Sequence, residues 1–130
     1  MLILTLRTDK PEAEIGLFDG QTKIGYEIWE GHRKLAETIH IKIEMLLKAE
    51  GKTWHDIKGI VAFEGPGSFT GLRIGLATAN AVASSLDIPI VATKDDDWID
   101  KGITRLLAGE QDKIALPFYG QDVHITLPRK

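Results

Sequence analysis

Apolar and polar positions alternate in short runs along the first thirty residues. Leu2-Ile3-Leu4-Thr5-Leu6 predicts a first strand, Ala13 to Phe18 a second and Lys23 to Trp29 a third. Asp19-Gly20 is a hairpin signal between the last two, and Asp9-Lys10-Pro11 breaks the chain between the first two. The period then lengthens. From Arg33 to Glu50, Leu35, Ala36, Ile39, Ile43, Leu46 and Leu47 recur at helical spacing, and Gly51 supplies the stop. The apolar run Ile57 to Phe63, with the β-branched pair Ile60 and Val61, predicts a buried strand. A second helix follows from Gly71 to Leu86, then a short strand over Ile88 to Ala92. A third helix starts at Trp98 and runs to Ala108, stopped by Gly109. Lys113 to Phe118 and Gln121 to Leu127 read as two last strands around Tyr119-Gly120.

Two helices carry more apolar surface than one sheet contact uses. On the first, Ile41, Met45 and Ala49, with Thr38, lie away from the main stripe. On the second, Gly71, Leu72, Gly75, Leu76, Ala79, Val82, Ala83 and Leu86 fill one face. Ile74, Ala77, Thr78, Ala81 and Ser85 fill another, leaving only Arg73, Asn80 and Ser84 as a polar strip. A helix apolar on nearly all sides is covered on more than one. Small residues also let a second backbone come close. The pattern therefore predicts a partner surface at Thr38, Ile41, Met45, Ile74, Ala77, Thr78 and Ala81. The competing expectation is that the C-terminal segment folds back over it.

Composition narrows the class without naming a chemistry. The chain has 130 residues, 43% hydrophobic and 27% charged, which predicts one globular domain with a real core. A net charge of −3 argues against gripping nucleic acid alone, because phosphate neutralisation needs clustered Lys and Arg. With no cysteine there is no disulfide or thiol chemistry. No apolar run reaches the ~20 residues of a membrane span, and Met1 leads straight into strand-like sequence without a leader pattern. A cytoplasmic protein without a membrane partner is expected.

The stretch Glu64-Gly65-Pro66-Gly67-Ser68-Phe69-Thr70-Gly71 sits where a strand turns into a helix. Pro66 fixes φ, the glycines admit angles closed to other residues, and Ser68 or Thr70 can cap the helix. Gly65, Gly67, Ser68, Thr70 and Gly71 thus form a candidate phosphate turn. A plain tight connection is the alternative: Leu72 stands where a phosphate loop has Lys, and the glycine spacing departs from GxGxxG. Other chemistry is not supported. His32, His40, His55 and His124 form no metal-binding spacing, and no Ser, His and acid make a readable triad. GPGSFTG is not a nucleophile elbow. Asp95-Asp96-Asp97 reads as charge and capping at a helix start rather than a metal cluster. Trp29, Trp54 and Trp98 are not interleaved with basic residues, so no base-stacking surface is indicated.

The run GPGSFTGLRIGLATA resembles the signature of the TsaB (YeaZ) family, and the likeness extends more weakly from Met1 to about Thr93. The family works with TsaD in making N6-threonylcarbamoyladenosine on tRNA, beside the anticodon. The resemblance implies an α/β fold, a ribonuclease H-like (actin/Hsp70-type ATPase) domain. Its mixed sheet would have the first three strands antiparallel and helices on both faces. It implies a TsaB-like N-terminal domain over residues 1–108, with residues 109–130 a hairpin remaining from a second domain. The implied role is a non-catalytic subunit that binds a TsaD-like ATPase/transferase through the two helices, with a TsaE-like ATPase as a further partner. A homodimer is expected when the partner is absent, and tRNA is met only through the complex. ATP and metal are expected on the partner, with no cofactor on this chain alone; the histidine pair of a TsaD-type metal site is missing. The family usually has an Asp after the first strand, which in the wider ATPase fold helps place metal and phosphates. Here Arg7 stands there, with Asp9 two residues on. Arg7 is expected to be an exposed strand-end cation, with a phosphate contact as the alternative. Two other functions stay open: an independent nucleotide-binding protein using the turn with Arg7, Thr8 and Asp9, and a self-associating structural module.

Overall fold

The computed structural model describes residues 1–67 and 69–117. Ser68 and the expected strand Gln121 to Leu127, with the Tyr119-Gly120 turn before it, lie outside the described residues. Among the described residues five strands and three helices follow in order: β1 (Leu2–Arg7), β2 (Glu12–Asp19), β3 (Thr22–Glu30), α1 (Leu35–Ala49), β4 (Ile57–Phe63), α2 (Phe69–Leu86), β5 (Ile90–Thr93) and α3 (Trp98–Leu107). Single 3-10 turns precede α1 (His32–Lys34) and β4 (Trp54–Asp56).

The strands form one sheet in the order β3-β2-β1-β4-β5. β1 pairs antiparallel with β2, placing Leu4 opposite Leu17, and β2 pairs antiparallel with β3. β4 lies parallel to β1, with Ile60 opposite Leu4, and β5 lies parallel to β4. Strand alternation then sorts the core into two layers. Leu4, Leu6, Ile15, Leu17, Ile60 and Ala62 point to the side of α1 and α2, meeting Ile39, Ile43, Leu47, Leu76 and Ala79. Ile3, Val61, Phe63 and Val91 point the other way, meeting Trp98, Ile103 and Leu106 of α3. A Cβ at Gly102 would overlap the side chain of Val61, so α3 lies close on the sheet there. Antiparallel β1 to β3, parallel β1, β4 and β5, and helices on both faces make the ribonuclease H-like arrangement.

Two local expectations change. Ala36 is exposed rather than part of the buried stripe; α1 begins at Leu35, two residues later than the pattern suggests, and Ala36 stands in its first turn. Residues 113–117 are not a strand. Instead Asp112 makes an isolated bridge to Ile90, its amide donating to the Ile90 carbonyl at 2.8 Å. Its carboxylate accepts from the Ala92 amide at 2.8 Å and from Arg105 Nη2 at 2.8 Å. Asn80 of α2 holds Ala115 from both sides, donating to its carbonyl at 2.9 Å and accepting from its amide at 2.8 Å. Residues 111–115 therefore run along β5 and Asn80, and Ile41, Met45, Ala77 and Ala81 are exposed; the rest of the expected C-terminal cover, from Phe118 on, lies outside the described residues.

Candidate functional site

Two regions gather the residues singled out by sequence. The first is the corner where β1 and β4 end and α2 begins. Gly65 takes φ +116°, a backbone conformation that favours glycine, and the Gly65-Pro66 bond is cis. A Cβ at Gly67 would overlap Asp9, so the turn lies directly on the end of β1. Gly75 is filled in the same way by Thr8, whose hydroxyl donates to the Gly71 carbonyl at 2.7 Å. Thr70 is exposed in the first turn of α2.

Arg7 is not the exposed cation that the sequence suggests. Its side chain is 19% exposed and that of Asp9 10%. The guanidinium donates through Nε and Nη2 to the two carboxylate oxygens of Asp9, at 2.8 and 2.7 Å. Its carbon lies 4.0 Å from the Phe63 ring centre and 5.8 Å from that of Trp98. These two rings meet edge to face at 5.6 Å. Strand alternation turns Arg7 and Asp9 to the same side, and the aromatic faces take up the cation. The hydrogen bonds that Arg7 donates to Asp9 hold its pKa above the ordinary value. Alongside, the Tyr26 hydroxyl donates to Glu14 Oε1 at 2.6 Å. Burial, then that bond, pushes the phenol well above its usual range.

These residues do not fit the metal-and-phosphate corner of the wider ATPase fold. Such a metal needs carboxylate oxygens, and both oxygens of Asp9 are engaged by Arg7. The Thr8 hydroxyl proton is engaged as well. Glu64, at the end of β4, is half-buried, and desolvation raises its pKa. Asp95 and Asp97 pair with Lys101 at 3.1 and 3.3 Å, and Asp97 precedes α3 without a side-chain capping bond. Charge pairing thus replaces the expected capping. Among the described residues no cluster of acids and histidines is suited to a cation.

The second region is the outer surface of α1 and α2. Ile41 and Met45 are 58% and 57% exposed, and Ala77 and Ala81 are exposed on α2. Thr78 is 9% exposed and Ile74 half-buried against the core, so both border this surface. Thr38 is half-buried at the other margin. It accepts the Trp29 indole N–H at 3.0 Å and donates to the Lys34 carbonyl at 2.9 Å. Between the helices lies a groove of about 440 Å³, lined by His40, Trp54, His55, Ala81, Val82, Ser85 and Leu86. Its wall is the tilted pair His40 and Trp54, with ring centres 6.3 Å apart. Sequence reasoning named none of His40, Trp54 and His55 for this surface. The cue was Trp54-His55 in the connection between α1 and β4, whose return to the sheet brings Trp54 against His40 of α1.

A family model described as TsaD: tRNA N6-adenosine threonylcarbamoyltransferase matches residues 30–95, about half of the chain. That span holds both helices, the glycine turn and β4 and β5. The tRNA threonylcarbamoyladenosine biosynthesis protein TsaB of Escherichia coli (strain K12) is 29% identical over 115 residues, covering 83% of this chain and 49% of that protein. A tRNA N6-adenosine threonylcarbamoyltransferase of Geotalea uraniireducens (strain Rf4) is 43% identical over 95 residues, covering 73% of this chain and 28% of that protein. Among solved structures, YeaZ from Pseudomonas aeruginosa superposes with a TM-score of 0.64 at 26% identity, covering 72% of this chain and 44% of that one. The chain spans about half the length of the Escherichia coli protein, and less of the other two. Among the described residues no helix is long and apolar enough to cross a membrane. With half of its length matched by that model, and with a TsaB sequence and a YeaZ fold as its neighbours, the chain belongs to the TsaD-type threonylcarbamoyltransferase family, on its TsaB (YeaZ) side.

Proposed function

We propose that this chain serves tRNA N6-threonylcarbamoyladenosine biosynthesis as a TsaB-like, non-catalytic subunit that docks a TsaD-like protein through the outer surface of α1 and α2. One observation carries the reading: Ile41 and Met45 are more than half exposed on a helix beside exposed Ala77 and Ala81. Large side chains on one helix and small ones on its neighbour suit the entry of partner helices between them. The names of the relatives supply the pathway. In this reading the partner carries ATP, metal and the threonylcarbamoyl donor, and tRNA is reached only through the complex. A TsaE-like ATPase joins that assembly rather than this surface, and the complex works in the cytoplasm. The self-associating reading uses the same surface, with a second copy standing in for the partner.

Size-exclusion chromatography with light scattering tests this on the chain alone and mixed with the TsaD-like protein of the same source. The expected result is a new 1:1 species that displaces any homodimer and is lost in Met45→Asp. No complex with the wild-type chain, or an unchanged complex with Met45→Asp, overturns the proposal.

A further inference from the structure

We propose that Arg7 is a resident cation, which locks the corner of β1, the glycine turn and α3 in the place where the wider fold holds a metal-bound phosphate. The inference does not depend on the docking proposal. Four observations converge on it. The guanidinium spans both oxygens of Asp9 at 2.8 and 2.7 Å, so the carboxylate has no oxygen left uncommitted for a hard cation. Its face is taken by Phe63 at 4.0 Å, with Trp98 at 5.8 Å beyond, so it is not directed outward at a ligand anion. Asp9 fills the space over Gly67 with its Cα, Cβ and carbonyl oxygen, so the chain leaving β1 lies against the turn at the place where Gly67 offers room. Thr8 fills the space over Gly75 and spends its hydroxyl proton on Gly71.

Each contact joins a different element. Asp9 belongs to the chain leaving β1, Phe63 ends β4, and Trp98 opens α3. A metal in such a corner would neutralise acids and tie strand ends together. Arg7 performs both tasks with a covalently attached charge. The turn should accordingly be ordered without divalent cation or nucleotide.

The test combines thermal unfolding with hydrogen exchange on the full chain, for wild type, Arg7→Ala, Arg7→Lys and Asp9→Asn. The wild-type midpoint is expected to stay unchanged on adding magnesium chloride with ADP or ATP. Arg7→Ala is expected to lower the midpoint and speed exchange in the peptide covering residues 64–75 by at least ~10-fold, with α1 unchanged. Arg7→Lys keeps the charge but loses the fork and the planar stacking, and should fall between the two. If Arg7→Ala does not fold, Arg7→Lys and Asp9→Asn carry the same comparison. A wild-type midpoint that rises with magnesium and nucleotide overturns the proposal. So does wild-type exchange over residues 64–75 in the substituted chains.

Discussion

The corner around Arg7 and the outer surface of α1 and α2 meet water in opposite ways. At the corner, the hydroxyl of Thr8, the carboxylate of Asp9 and the guanidinium of Arg7 all find partners inside the chain, and the gaps left by Gly67 and Gly75 are filled. On the helices, apolar groups of the size used in the core face outward. The charged residue that looked like an exposed group is thus an internal one, and the hydrophobic residues that look like core material are at the surface. Charge is therefore a poor guide to where a ligand binds, because an ion can be satisfied at short range by its own chain. Unburied apolar area has no such local remedy, and so it points more directly to a partner.

This contrast can be broken from either end. The largest effect on folding is expected from Ile43→Ala, one helical turn from Ile39 and fully buried under α1. It should cost about 2–5 kcal/mol in urea unfolding through lost burial and the cavity left behind. Close by on the same helix, Met45→Asp should leave stability within about 0.5 kcal/mol. Urea unfolding that shows equal losses for the two would mean that α1 has no spare face. Next comes Gly75→Ala. The new methyl meets the Thr8 hydroxyl, so overpacking of about 1–3 kcal/mol should outweigh the ~1 kcal/mol that alanine adds to a helix. A stabilised Gly75→Ala protein would show that β1 and α2 can part without loss.

Smaller still is Tyr26→Phe, which removes the hydroxyl bound to Glu14 and should cost about 1 kcal/mol at neutral pH. Its pH dependence is more telling. Because burial and Glu14 raise the folded phenol above its ordinary value near 10, the folded state favours the neutral form. That contribution is whole below pH ~10 and fades above it, as the unfolded chain ionises first. Denaturation series from neutral to alkaline pH should fall more steeply for wild type than for Tyr26→Phe; parallel curves would remove Tyr26 from the network. At the small end, Ala77→Leu should barely alter unfolding. It should nevertheless weaken the 1:1 complex in light scattering by crowding the exposed surface beside Ile41 and Met45.

The sequence predicts the strands, the helices and the glycine turn because each is written in local periods and breaks. Ile57 to Phe63, for example, declares a buried strand by its unbroken apolar run, and its bounds are those of β4. The spare face is also local, since Ile41 and Met45 repeat at four-residue spacing away from the buried stripe. What escapes is everything joined across the sheet. Arg7 beside Asp9 shows two charges, but Phe63 and Trp98, which take the face of the cation, stand far along the chain. The same holds for His40 against Trp54, and for Asn80 against Ala115. Ala36 fails for a different reason: the period is right, but the helix begins only at Leu35, so Ala36 stands in its first turn at the end of the buried stripe.

The segment that runs back along β5 has a consequence for solution behaviour. β5 is a boundary strand, and the amide and carbonyl groups along its outer side would otherwise form a row open to another chain. Asp112 and Arg105 occupy those groups at Ile90 and Ala92, and Asn80 anchors the segment at Ala115. These contacts thereby leave the β5 edge with fewer free groups for another strand to pair with. Loosening that strap would open the edge at Ile90 and Ala92 to pairing with another strand, while α1 and α2 kept their outer surface.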